Sequence, residues 1–203
     1  SGHNLDCYEG RSLSQKGDIV VVNLNHRLNV LGFLDLSAFD EKYATSANVS
    51  VLDMVMALTW INRNIAQFGG DPGNVTIAGQ SGGGGKVMTL MATPAAKGLF
   101  HKAIIQSGTV MGREMASGDE TRAFGLSVLE ELGISKDNMD KIAEIPYSDL
   151  QNAAWRAAFK QSGMSVNPLS MGPSVDGKVL PYNFFSPEAR DLFKDIPVII
   201  GTT

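Results

Sequence analysis

Apolar residues recur along the chain in two rhythms. Short runs rich in β-branched residues make the first. Ile19-Val20-Val21-Val22-Asn23-Leu24 follows the turn-like Lys16-Gly17-Asp18 and predicts a buried strand of a parallel sheet. Val75-Thr76-Ile77-Ala78, Lys102-Ala103-Ile104-Ile105-Gln106 and the run from Pro197 to Gly201 predict further strands. The second rhythm is helical. From Val51 to Phe68 the apolar residues fall at 51, 52, 55, 58, 61, 65 and 68, mostly in steps of three and four, which puts them on one face of a helix. Ser50 is its candidate N-cap, Gly69-Gly70 stops it, and Asp71-Pro72-Gly73-Asn74 is a turn. Lys86 to Met91 reads as a helix ended by Pro94, and Asp119 to Leu132 as one with Gly133 just past its end. Lys136 to Ile145, Ser148 to Gln161 and Pro187 to Lys194 read as helices too. Residues 37–50 are small and polar and read as a loop, while Asp176-Gly177 carries a hairpin signal. Strands alternating with helices predict an α/β fold around a parallel sheet, with no internal repeat and no clean domain boundary.

Composition narrows the function classes. Of 203 residues, 43% are hydrophobic and 19% charged, which suits a packed core. The net charge of -4 gives no electrostatic reason to expect nucleic acid. No run of 18 apolar residues occurs, so the sequence predicts no membrane span, and no basic-then-apolar leader opens it. A lone cysteine, Cys7, cannot close an internal disulfide, so the expected setting is cytoplasmic. Asn48-Val49-Ser50 and Asn74-Val75-Thr76 match the glycosylation acceptor pattern, which has no meaning there. The first residue is Ser1, and an apolar run ends near Thr203. Both ends therefore look cut, and a piece of a longer chain is expected.

Chemistry concentrates at Gly79-Gln80-Ser81-Gly82-Gly83, which fits G-x-S-x-G. An apolar strand precedes it and a helix follows, the setting of a nucleophile elbow. Glycines two residues before and after the serine are expected to relieve collisions at a tight strand-to-helix bend. The serine hydroxyl would stand above the sheet edge, at a helix N-terminus that favours developing negative charge. The N–H of Gly82 would then receive the oxyanion. The plainer alternative is a glycine-rich turn whose serine caps the helix. Phosphate binding fits poorly. G-x-x-x-x-G-K-[ST] would need glycine at Gln80 and a hydroxyl at Val87, and G-x-G-x-x-G would need glycine at Val87 or Met88. No nucleotide, other cofactor or metal is therefore expected.

Phe68-Gly69-Gly70, then Val75, Ile77 and Gly79-x-Ser81-Gly82-Gly83, resembles the signature of the type-B carboxylesterase family, which includes the cholinesterases. Asn25-His26-Arg27-Leu28 through Gly32-Phe33-Leu34, Leu58-Thr59-Trp60, Asn64-Ile65 and Phe68-Gly69-Gly70-Asp71-Pro72 are similar to further family segments. So are Gly98-Leu99-Phe100, Gln106-Ser107-Gly108, Gly172 to Gly177 and Ile196 to Thr202. The likeness covers nearly the whole chain and is weakest from Met111 to Met171. Two residues depart from the pattern: Gln80 stands where the family usually has Glu, and Gly82 where it has Ala.

The resemblance implies a partial α/β-hydrolase fold, with central parallel strands and helices on both faces. Residues 1–203 would be an internal part of one catalytic domain, with a helical insertion at roughly 111–171. It implies acyl transfer on a small-molecule carboxylic ester, with Ser81 as nucleophile and Gly82 as oxyanion donor. Ser107 would support the catalytic acid, the plainer alternative being a strand-end cap, and Arg27 and Asp53 would form a structural charged pair. The family's acid, its histidine and its H-G-G-G oxyanion run would all lie outside these 203 residues. None of His3, His26 and His101 matches the base, so the chain alone is expected to be inactive. The strand preceding the H-G-G-G run would also be missing, leaving 19–24 and 75–78 without their shared neighbour. The competing expectation is a non-catalytic scaffold or adhesion relative, which would usually lack the serine.

Overall fold

The computed structural model describes residues 9–108, 115–162 and 171–202. His3 and Cys7 lie outside them, as does part of the 111–171 region. The chain divides into two compact units, Ser1–His26 with Val51–Arg113 and Phe184–Thr203, and Arg27–Ser50 with Glu114–Asn183. Arg27 and Asp53 fall in different units. In chain order the helices are α1 (Arg11–Gly17), α2 (Val30–Phe33), α3 (Val49–Asn64), α4 (Gly82–Met91), α5 (Gly118–Leu132), α6 (Tyr147–Ser162) and α7 (Pro187–Phe193). The strands are β1 (Thr76–Gln80), β2 (Lys102–Gln106), β3 (Ala116–Ser117), β4 (Ser174–Val175) and β5 (Val198–Gly201).

The first unit carries a parallel sheet in the order β1-β2-β5. Gln80 pairs in register with Gln106, and Gln106 with Gly201, so the strands end together at one edge. Ile77, Ala103 and Ile105 are buried from the strands, and Val87, Met88 and Met91 from α4, which packs on β1 and β2. Of the residues on the predicted apolar face of α3, Val51, Leu58, Ile61 and Ile65 are buried and Leu52 and Val55 half-buried, whereas Phe68 is exposed. A 3-10 turn over Ile65–Phe68 and the left-handed Gly69 (φ 83°) end that helix. Ser50 is not its cap: α3 already begins at Val49, continuing a 3-10 turn over Ser46–Asn48, so part of the expected loop is helical. Residues 41–68 are long enough to cross a membrane and contain an 18-residue window with a mean hydropathy of 1.3. The stretch is broken into separate helical elements; Val51, Met54, Leu58, Ile61 and Ile65 are buried, while Met56, Trp60 and Phe68 are exposed.

The expected strand over 19–24 is absent. Its residues belong to no strand among those described, and Ile19, Val20 and Val22 are exposed. β-Branching favours an extended backbone, but a strand also needs a ladder partner. Among the described residues β1 pairs only with β2.

The second unit is mainly helical. α5 packs on α6 around Val128, Leu129, Leu150, Ala153, Ala154 and Ala157. The small alanines let the helices approach closely. Ser117 caps α5: its hydroxyl accepts the Glu120 N–H at 3.3 Å, while the Glu120 carboxylate accepts the Ser117 N–H at 2.8 Å. Lys136–Glu144 is a 3-10 segment kinked at Asn138 rather than an α-helix. Buried Asp35 accepts from the Ser37 N–H (3.0 Å) and hydroxyl (2.6 Å) and from the Thr121 hydroxyl (2.7 Å). Asn48 is fully buried, donating to the Ser174 carbonyl and accepting its N–H, so the folded chain does not present it for modification.

Asp176-Gly177 does not join antiparallel strands. β4 runs parallel to β3, and the Asp176 carboxylate instead accepts the N–H groups of Lys178, Val179 and Leu180, each at 2.9 Å. A side chain able to satisfy three amides closes the turn without a returning strand.

Candidate active site

β1 ends at Gln80 and α4 begins at Gly82, leaving Ser81 alone at the bend. Its backbone lies at φ 53°, ψ −121°, a conformation that a side-chain-bearing residue adopts only under constraint. Two bonds supply that constraint. The Ser81 N–H donates to the Gln106 carbonyl at 2.8 Å, and the Gly85 N–H donates to the Ser81 carbonyl at 3.1 Å.

Gly79 makes the bend possible. A Cβ there would lie 2.2 Å from the Gly83 carbonyl oxygen and 2.3 Å from its carbon. The sequence suggests an equal need at Gly83, but a Cβ at Gly83 or Gly82 would meet nothing within 4 Å. The crowding is one-sided: Gly79 makes room for the backbone of Gly83.

Ser81 is exposed, and its hydroxyl makes no cap bond to α4 although it occupies the N-cap position. Helix capping therefore does not account for this serine. Gly82 contributes one of the first-turn N–H groups, which have no carbonyl partner within the helix. Hydroxyl and N–H thus stand side by side at the positive end of the helix dipole.

Ser107 lies just past β2, also with positive φ (48°), and its N–H donates to the Gly201 carbonyl at 2.7 Å. Ser81, Gly82 and Ser107 therefore share the C-terminal edge of the parallel sheet, where open α/β sheets place their ligands. His101 sits at the other end of β2, and its Nδ1 accepts the Val75 N–H at 3.2 Å, a structural bond. A cavity of about 240 Å³ lined by Leu90, Phe100, His101, Leu192 and Ile196 also opens at that far end, sharing no residue with the serine edge. Lys86 on α4 is half-buried, and burial pushes its ammonium pKa below the usual lysine range. Among the described residues no group of His, Cys, Asp or Glu is arranged to hold a metal ion.

Two glycines that sequence reasoning passed over belong to this edge. A Cβ on Gly108 would lie 2.4 Å from the Gly84 Cα, and one on Gly84 would lie 2.7 Å from the Gly108 Cα. The run of glycines at 82–85 and the Ser107-Gly108 pair were the only signals of it.

A central parallel sheet with a serine at the strand-to-helix bend defines an α/β protein with a hydrolase-like edge. The chain belongs to the carboxylesterase family, whose family model matches residues 1–203. It is 41% identical over 198 residues to para-nitrobenzyl esterase of Bacillus subtilis, covering 97% of this chain and 39% of that protein. It is 35% identical to fumonisin B1 esterase of Sphingopyxis macrogoltabida (96% and 34% covered) and 30% identical to cholinesterase 1 of Branchiostoma lanceolatum (98% and 56%). A solved PNB esterase superposes with a TM-score of 0.87 at 36% identity, over all of this chain and 42% of its own. An esterase from Clostridium hathewayi gives 0.80 at 42% identity, over 96% and 38%. The fold is thus a partial α/β-hydrolase fold, and the chain spans between 34% and 56% of the length of these curated relatives.

Proposed function

We propose that the whole protein carrying this chain is a carboxylic ester hydrolase working through an acyl-enzyme on Ser81, with a small-molecule carboxylic ester as substrate. The observation that carries this reading is the exposed Ser81 hydroxyl, uncapped and held at φ 53° between β1 and α4. Such an arrangement supports a nucleophile elbow at Ser81. Family membership and the esterase relatives support the same reaction class.

The chemistry follows from the geometry. Ser81 Oγ bonds to the ester carbonyl carbon while its proton passes to a general base, a histidine outside residues 1–203 as the resemblance implies. The carbonyl electron pair moves onto oxygen, and the Gly82 N–H receives that oxyanion. Collapse expels the alcohol, which takes the proton, and water then releases the acid by the same route. Ser107, at the end of the neighbouring strand, is assigned to steady the acid that orients the histidine. The single cysteine in the sequence supports a cytoplasmic setting.

In the whole protein, Ser81→Ala should lower kcat for a p-nitrophenyl ester by a factor on the order of 10⁶. Turnover by the variant at the parent rate would place the nucleophile elsewhere.

A further inference from the structure

We propose that Gly84 and Gly108 form a backbone-to-backbone seat that fixes where α4 begins, and so positions the Ser81 hydroxyl and Gly82 N–H for attack on the ester. This rests on the assignment of Ser81 as nucleophile. Both glycines are buried, and neither has positive φ, so conformational freedom does not explain them. Close approach does. A Cβ on Gly108 would meet the Gly84 Cα at 2.4 Å, the Gly84 carbonyl carbon at 2.6 Å and the Gly85 nitrogen at 3.0 Å. A Cβ on Gly84 would meet the Gly108 Cα at 2.7 Å, the Gly108 nitrogen at 3.2 Å and the Gly79 carbonyl oxygen at 3.2 Å. Every contacting atom is backbone, so none can swing aside as the end of a side chain would.

The contact falls where it controls the bend. Gly84 lies in the first turn of α4, the turn that presents the Gly82 N–H. Gly108 follows Ser107, whose N–H is tied to the Gly201 carbonyl at 2.7 Å, so the exit of β2 is anchored against β5. The Ser81 N–H is anchored on Gln106, two residues before Gly108, at 2.8 Å. The start of α4 is therefore set at two points, one at the end of β2 by the hydrogen bond from Ser81 to Gln106 and one just past it by the glycine contact. A methyl group at the second point would pivot the helix about the first. The Gly82 N–H would then shift relative to Ser81 Oγ. Gly85 lies in the same glycine run, yet its Cβ would come no closer than 3.8 Å to the Gly108 carbonyl oxygen, an ordinary contact.

The test uses the whole protein, with a p-nitrophenyl ester as substrate and a fluorophosphonate to titrate reactive serines. Gly108→Ala and Gly84→Ala should each lower kcat per titrated site by about 10²-fold, the scale of a misplacement near 1 Å, with KM little changed. Gly17→Ala on α1, where a Cβ would meet only the Ile19 side chain and no closer than 3.6 Å, should keep the parent value. Dividing by titrated sites separates positioning from folding, since a purely structural loss lowers the number of sites and the Tm but not the rate at each site. Gly84→Ala is the milder change and serves where Gly108→Ala does not fold. Parent values of kcat per titrated site in both variants, whatever their Tm, would overturn the proposal. Turnover persisting in Ser81→Ala would instead remove the nucleophile assignment beneath it.

Discussion

Ser81 and Ser107 hold backbone conformations that ordinarily cost a side-chain-bearing residue about 1–3 kcal/mol each. Both stand at the ends of adjacent parallel strands, and both are held by N–H bonds to the next strand, Ser81 to Gln106 and Ser107 to Gly201. Two such residues side by side mark the edge where the fold stores strain. Ser81 was legible in the sequence because its glycine spacing and flanking elements are local. The Gly84–Gly108 contact was not, because it joins residues far apart in sequence that only the β1-β2 pairing brings together. The motif also hid an asymmetry, since its glycines are not equivalent. Gly79→Ala forces a methyl against the Gly83 carbonyl and should destabilise the protein by about 1–3 kcal/mol. Gly83→Ala, with open space around its Cβ, serves as the comparison in thermal melts. Equal Tm values for the two variants would contradict this reading of the bend.

At the scale of elements, periodic patterns carried the most information. α3, α5, α6 and β2 fall where their apolar spacing predicts, because each buries one face against a neighbour. α1 gave no such signal, and none of its residues is buried. The run at 19–24 misled because apolar, β-branched character specifies extension but not a partner. The Asp176-Gly177 signal misled because one carboxylate can close a turn that the pattern assigns to a hairpin. α5 and α6 are further joined by Glu131, whose side chain is only 11% exposed and is paired with Lys160 and with Arg156, the latter at 2.7 Å. The hydrogen bond from Lys160 and then that from Arg156 hold its carboxyl below the ordinary value of 4.5, against the opposing effect of burial. A depressed folded pKa means that the unfolded chain binds more protons, so this contribution rises with pH. It is complete above the ordinary value and is lost as pH falls through the folded one. Glu131→Gln should therefore lower Tm at neutral pH, and the two melting curves should converge as acid protonates Glu131. A Tm difference that stays constant from neutral pH into acid would show that the clamp is not ionic.

For the whole molecule, apolar residues stand at the surface of the sheet-bearing unit. Ile199 and Ile200 of β5 are 68% and 58% exposed, and Phe68, tilted against Trp60 at 5.9 Å between ring centres, is 62% exposed. Strands of a parallel sheet are normally covered on both faces, and open apolar patches recruit partners or aggregate. The 203-residue chain on its own should accordingly bind an apolar dye such as ANS under native conditions, and Ile199→Lys should weaken that binding. Failure of the chain to bind the dye would mean that these residues are covered in solution. Family, fold and the serine edge were readable from motifs spread over most of the chain, whereas the division into two units depends on contacts that no local pattern encodes. The proposed reaction depends on the bend between β1 and α4 presenting a reactive hydroxyl. Its most direct measurement is peptide mapping of the whole protein after reaction with a fluorophosphonate. The adduct should sit on Ser81 alone, with fluoride released, and should be absent from Ser81→Ala. An adduct on another serine, or an unmodified Ser81 in folded and active protein, would contradict the account.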